Sequence, residues 1–339
     1  MTVLSSPIDA LGPLLPALTA RFGEAAVQAQ LEALARHGDA VDNPVLWLTT
    51  ALERGFRFMP ITVRERCACG SWDFRLVGRH IYWNLLATRE CQVCGALFVS
   101  PRLAPEAMER IFSHFYFDAS PQDLAFWGER RRPVFEQVRR LLAARGVTSV
   151  LDVGAAYGHF VHHLRAHGFR ASGIDLSPVA AETARAVLGV DVRTGRLPEL
   201  NPLPEPVDAV VSLDTLYYAD DPGAELTACH AVTRPRGWLV LRLRNGLWSR
   251  AKMVRATPDR PGPRVMPAEH LWSWTPEAIR RLLALTGWRL EAIEPGAWPD
   301  TPRSRWLNLA PRIIRRRRRL ARHMPVLAHS FVVVARRCR

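Results

Sequence analysis

The chain has a single lysine, Lys252, although lysine and arginine together number 46. Its positive charge is therefore carried by guanidinium groups, a bias that GC-rich coding also produces, so arginine abundance by itself identifies no partner. No apolar run approaches the roughly 18 residues that a membrane span requires, and no transmembrane segment is expected. Residues 1–16 lack the basic stretch of a secretory signal, and the expected location is the cytoplasm. With no export signal, the six cysteines are read as thiols or metal ligands rather than disulfides. Acid is missing from residues 301–339, which hold twelve arginines and most of the excess behind the formal charge of +14. As a helix, 301–325 has an apolar side and a dense basic side. Arg315 to Arg319 could rest on an anionic membrane surface or on nucleic acid, or form a solvated helix inserted before a last strand at 329–335.

The most informative stretch is Val150-Leu151-Asp152-Val153-Gly154-Ala155-Ala156-Tyr157-Gly158-His159-Phe160. An apolar run, Val147 to Val153, predicts a buried strand. Gly154 and Gly158 let the chain turn sharply and approach a ligand, because neither carries a Cβ. A second strand ends at Asp175, placed to accept hydrogen bonds from ribose hydroxyls. A dinucleotide loop would need G-x-G-x-x-G to cradle a pyrophosphate. Here the spacing is Gly154-x-x-x-Gly158, led by Asp152, which suits a ligand with an ammonium group and no phosphate. Beyond Asp175 the pattern alternates: a helix at 178–188, a strand at 190–193, a strand at 207–214, a helix at 222–231 and a strand at 236–243. Alternation of this kind predicts a parallel sheet with helices on both faces.

These residues resemble the class I S-adenosylmethionine-dependent methyltransferases, whose first motif reads D-x-G-x-x-x-G. Asp214-Thr215-Leu216-Tyr217-Tyr218-Ala219-Asp220-Asp221-Pro222 resembles the motif after strand four. His270-Leu271-Trp272-Ser273-Trp274-Thr275-Pro276-Glu277, followed by Leu282-Leu283 and Gly287-Trp288, resembles a later one. The resemblance implies a Rossmann-like sheet of seven mostly parallel strands over 147–339. It implies S-adenosylmethionine as cofactor, held by Asp152, Gly154, Ala155, Gly158, Asp175, Leu176 and Asp214.

Upstream, Cys67-Ala68-Cys69-Gly70 and Cys91-Gln92-Val93-Cys94-Gly95 place two close thiol pairs about twenty residues apart. Such pairs can close a tetrahedral zinc site, and strands expected at 74–77 and 80–86 complete a zinc ribbon over 61–104. The first pair is C-x-C, shorter than the usual C-x-x-C; the alternative is four thiols without metal. Residues 1–60 predict a helical module, including a helix from Asn43-Pro44 through Trp47 and Leu48 to Phe56. An aromatic linker and a leading helix fill 105–146. The order of ribbon, linker and core resembles bacterial sugar methyltransferases with an N-terminal zinc module.

That resemblance implies methyl transfer to a hydroxyl of a sugar, glycan precursor or related small molecule. A hydroxyl must lose its proton. Tyr217-Tyr218 stand where relatives carry Glu-His, and a phenol of pKa about 10 is a poor base. His270 is therefore the expected base, with Tyr218 orienting the acceptor. His162, His163 and His167 are assigned to a solvated helix face. Two other readings stay open. One is RNA methylation, although no N-P-P-[YF] or D-P-P-Y follows strand four and no Pro-Cys pair occurs. The other is a catalytically inactive cofactor-binding scaffold.

Overall fold

A computed structural model describes residues 9–37, 48, 52, 61–79, 86–110, 112, 121–200, 205–247, 249–250, 270–297 and 328–338. The basic segment 301–325 with Arg315 to Arg319, the expected strand at 80–86 save Leu86, and most of the helix expected after Asn43 lie outside the described residues.

A short 3₁₀ turn leads into α1 (Leu15–Phe22) and α2 (Glu24–His37). β1 (Ile61–Thr62), β2 (Phe74–Arg79), β3 (Ala87–Cys91), β4 (Leu97–Val99) and β5 (Arg102–Leu103) surround the cysteines. α3 (Pro105–Arg110) and the long α4 (Pro121–Ala143) follow. The alternating body runs β6 (Ser149–Val153), α5 (His159–Arg165), β7 (Arg170–Asp175), α6 (Pro178–Leu188), β8 (Val192–Thr194), β9 (Val207–Leu213), α7 (Pro222–Ala231) and β10 (Thr233–Arg244). It ends with β11 (Trp272–Ser273), α8 (Pro276–Leu285), β12 (Trp288–Pro295) and β13 (Ser330–Arg337).

Seven strands form the large sheet in the order β12-β13-β10-β9-β6-β7-β8. β10, β9, β6, β7 and β8 pair in parallel, while β13 runs antiparallel to both neighbours. The α/β class and the seven-stranded sheet expected from the sequence are thus present. Three helices begin with a polar residue followed by proline, and in each the polar side chain caps the helix. Ser177 accepts from the Ala180 amide, Asp221 from Gly223 and Ala224, and Thr275 from Ala278. The proline sacrifices no hydrogen bond at that position.

Both faces of the sheet are buried. On one, Phe135, Val138 and Leu142 of α4, Val161 of α5 and Ala184 of α6 cover Val150, Val211 and Val240. On the other, Leu226 of α7 and Ile279 and Leu283 of α8 cover Leu151, Val210 and Leu241. This second core continues without a break into Leu97, Phe98, Cys91 and Cys94 of the cysteine-bearing part. The reason is visible in the pairing. β11, from late in the chain, completes a four-stranded sheet in the order β11-β4-β3-β2, with Trp272 opposite Phe98. Trp272 stacks on Trp274 at 5.2 Å and donates its indole N–H to the Ala219 carbonyl at 2.9 Å.

Trp272 is fully buried, so Trp272→Ala opens a cavity and leaves the Ala219 carbonyl without that donor. The expected loss of stability is about 3–5 kcal/mol, checked by urea denaturation. A loss below about 1 kcal/mol would mean that β11 does not anchor the small sheet.

Candidate active site

The large sheet reverses its strand order between β6 and β9, and the crevice beyond their carboxyl ends is where open α/β sheets bind ligands. A cavity opens there, lined from β6, β7, β9 and the segments that follow them.

The loop after β6 forms one wall. Gly154 has φ +76, and a Cβ there would fall 2.3 Å from the Thr215 side chain. The first glycine is thus required by the approach of the loop after β9. Gly158 has φ +75, and its Cβ would strike Val190 at 2.6 Å; it seats α5 against the sheet rather than facing the cavity. Asp175 accepts amide hydrogens from Ala156 at 2.7 Å and Ser177 at 2.9 Å. Burial raises its pKa and those two donors oppose the rise.

Among the residues expected to hold the cofactor, Gly154, Asp175, Leu176 and Asp214 line the cavity. Asp152, Ala155 and Gly158 stand behind the loop; the Ala155 amide is bound to the Ile174 carbonyl at 3.0 Å. Asp152 is fully buried, and its Oδ1 has no hydrogen-bond partner. Burial pushes its pKa up to about 7, with Asp175 adding to the rise and Arg131 opposing it. A buried acid in this state favours the arrival of a cation.

Asp214 is differently placed. It has φ +62, a conformation that aspartate tolerates better than most residues. Its carboxylate is ion-paired with Arg242 of β10 and with Arg131 of α4 at 2.5 Å. Burial alone would raise its pKa, but the two arginines outweigh that and hold it below the ordinary value. Arg131 also lines the cavity and was missed in the sequence, where nothing distinguishes it from its neighbours Arg130 and Arg132.

The far end of the cavity is aromatic and apolar. Pro105 and Met108 from α3, Phe112, Tyr217, Tyr218 and Leu271 line it, with the Phe112 and Tyr218 rings 4.8 Å apart. Asp220 is also on this wall, gripped by Arg102 and Arg64 from the cysteine-bearing part. The structure brings the two expected catalytic residues together, with the Tyr218 hydroxyl 3.4 Å from His270 Nε2. Tyr218 faces the cavity, whereas His270 lies behind it, 8% exposed. Burial, aided by Arg244, pushes the His270 pKa down to about 3. It is a neutral imidazole at physiological pH and a far weaker base than the sequence alone implied.

The four cysteines converge. One sulfur from each lies within 4.8 Å of the others, with Cys67 to Cys94 at 3.6 Å and Cys69 to Cys91 at 3.7 Å. Zn–S bonds of 2.3 Å put tetrahedral sulfurs about 3.8 Å apart, so the short C-x-C pair does not prevent the donor set from closing.

Residues 126–293 match the family model described as a methyltransferase domain. The chain carries a class I S-adenosylmethionine-dependent methyltransferase domain. Curated relatives include the ubiquinone biosynthesis O-methyltransferase of Rhodopseudomonas palustris (strain TIE-1), 24% identical over 167 residues, which are 48% of this chain and 62% of the relative. The same-named protein of Bradyrhizobium diazoefficiens is 27% identical over 147 residues, 42% of this chain and 54% of the relative. The chain thus spans less than two thirds of the length of these relatives. Among solved structures, magnesium protoporphyrin IX methyltransferase from Synechocystis PCC 6803 with bound SAH is 18% identical, with a TM-score of 0.42, over 66% of this chain and 90% of that one. The cavity at the switch point lies within the span of the methyltransferase domain, apart from Pro105, Met108 and Phe112.

The depressed His270 pKa has a consequence for stability. Between about 3 and the ordinary 6.5, the unfolded chain binds a proton at this residue that the folded chain does not. Its contribution is fully present above pH 6.5 and is lost as pH falls toward 3. The stability difference between wild type and His270→Phe should therefore shrink on acidification through this window and be flat above it, as followed by urea denaturation. A difference independent of pH would show that His270 titrates normally in the fold.

Proposed function

We propose that the protein transfers a methyl group from S-adenosylmethionine to a hydroxyl of a small molecule. The observation that carries this reading is the buried Asp152, with an unbonded carboxylate oxygen, beneath a glycine loop whose approach to Thr215 leaves no room for a Cβ. The unanswered carboxylate fits a ligand that carries a cation. Asp175 takes the ribose hydroxyls, and Leu176 and Leu197 offer apolar contact beside it. Asp152, buried behind the loop, favours the ammonium through its charge, and Arg131, half-exposed on the cavity, answers the carboxylate. When bound, the cofactor supplies a methyl already activated on a sulfonium, so alignment is the larger part of catalysis.

At the acceptor end the aromatic wall holds the body of the acceptor and Tyr218 orients its hydroxyl. His270 holds the Tyr218 phenol in place. A base of pKa about 3 takes few protons at neutral pH, and Asp214 and Asp220 are each engaged by two arginines. The acceptor that suits this wall therefore brings an acidic, phenol-like hydroxyl that ionises without a strong base. In this reading it replaces the sugar hydroxyl expected from the sequence. The relatives' name, O-methyltransferase, supports oxygen as the acceptor atom. The four cysteines hold one structural zinc, and through Thr275, which donates to the Cys94 carbonyl at 2.6 Å, that metal steadies the start of α8.

Calorimetry with S-adenosylhomocysteine tests the cofactor site. Asp175→Ala should weaken binding by about 1–3 kcal/mol. Because Asp152 titrates near 7, binding at neutral pH should release protons, so the heat should depend on the ionisation enthalpy of the buffer, and Asp152→Asn should abolish that dependence. Unchanged affinity in Asp175→Ala, or no binding by wild type, refutes the reading. Methyl transfer from labelled cofactor should favour catechols over methyl glycosides. Labelling of RNA alone would replace the small-molecule reading.

Metal analysis tests the cysteine site. Wild type should carry one equivalent of zinc, and Cys91→Ser should lose both the metal and thermal stability. Full metal content in Cys91→Ser would remove zinc from the scheme.

A further inference from the structure

Helices α4 and α5 pack side by side on the outer face of the large sheet, and there Glu136, His163 and His167 gather. One donor atom from each lies within 4.8 Å of the others. The sequence put His163 on a solvated face, but packing turns it inward: its side chain is 15% exposed and its ring lies 5.9 Å from Phe135. Its Nε2 is buried without a hydrogen-bond partner and stands 3.6 Å from Glu136 Oε2, too far for a hydrogen bond. The His167 ring is 4.5 Å from that of His163. Its Nδ1 donates to the His163 carbonyl at 2.8 Å. That bond fixes the tautomer and leaves Nε2 with its lone pair, the same device that orients metal-bound imidazoles. Arg139 and Arg140 hold the carboxylate, together contacting Oε1 twice and Oε2 once. A carboxylate oxygen accepts more than one contact, so Oε2 retains acceptor capacity on the His163 side.

We propose that Glu136, His163 and His167 form a binding site for a late first-row divalent cation, zinc in the first instance, separate from the four-cysteine cluster. Two imidazoles and one carboxylate are a borderline nitrogen–oxygen donor set that suits such ions. Three protein ligands leave a fourth position for water. Donor atoms in a tetrahedral site of this kind stand about 3.3 Å apart, and the exposed His167 ring is the member placed to close the remaining distance. The neighbouring guanidinium groups oppose the cation, so the site binds reversibly and more weakly than the thiolate cluster. Once filled, it links α4, which carries Arg131, to α5, which begins at the glycine loop. This inference does not depend on the proposed methyl transfer.

The test uses the untagged, full-length protein already carrying zinc at the cysteines, titrated with zinc chloride by calorimetry. Wild type should take up one further equivalent. His167→Gln, an exposed position that leaves the fold intact, should weaken that uptake by about tenfold or more, as should His163→Gln, while the cysteine-bound zinc stays in place. His162→Gln, on the same helix but outside the cluster, should leave it unchanged. No further equivalent in wild type overturns the proposal. So does undiminished uptake in His167→Gln, or an equal loss in His162→Gln, which would mark unspecific chelation by surface histidines.

Discussion

The ion pair between Asp214 and Arg242 is the constraint around which the rest is arranged. Arg242 lies near the end of β10 with its side chain 5% exposed. A guanidinium at such a position is tolerated only when its charge is answered. Asp214 supplies the charge, and the Ala297 carbonyl at 3.1 Å and the Ser330 hydroxyl at 3.0 Å take two further donor hydrogens. The pair therefore ties the end of β9 to β10, to the exit of β12 and to the start of β13. It also fixes the left-handed turn at Asp214, from which Thr215 reaches against Gly154 and Tyr217 and Tyr218 reach the far wall. Arg131 brings α4 to the same carboxylate, so the leading helix is seated by the charge that organises the switch point.

A second dependence runs through the small sheet. The cysteine-bearing part does more than sit beside the methyltransferase domain. It supplies Arg64 and Arg102 to Asp220, and its β4 pairs with β11. Arg64 also lies over the Trp272 ring at 4.6 Å. The far wall of the cavity is thus built from both parts, and it has no meaning for either part taken alone.

The legibility of these features in the sequence follows their range. The strand–glycine–helix unit, the capped helices and the thiol pairs are local patterns, and Pro178 to Leu188 and Pro222 to Ala231 form helices over those same spans. The sheet and its cavity followed from alternation. What was not legible depends on contacts between distant segments. Nothing in the helical arginine run marks Arg131 as the one that meets Asp214, 83 residues away. Burial of His270 changes its chemistry, yet burial is a property of everything packed around it. His163 carries the spacing of a solvated face, and only the crossing of α4 turns it inward. Gly158 was read as a ligand-facing glycine, but it is the neighbour Val190 that forbids a side chain there.

The pairing of β11 with β4 also bears on synthesis. Cys94 and Thr275, which share a hydrogen bond, are 181 residues apart. While the chain is being made, the small sheet is short of a strand, and the edge of β4, with Phe98 in it, stays uncovered until β11 is available. At a synthesis rate of about 5–20 residues per second, that interval lasts on the order of ten seconds or more. An uncovered apolar edge invites pairing with other chains. A cation seized early by the four thiols would hold β3 and β4 in register through that interval, which gives the cysteines a task in the nascent chain that the finished fold no longer displays.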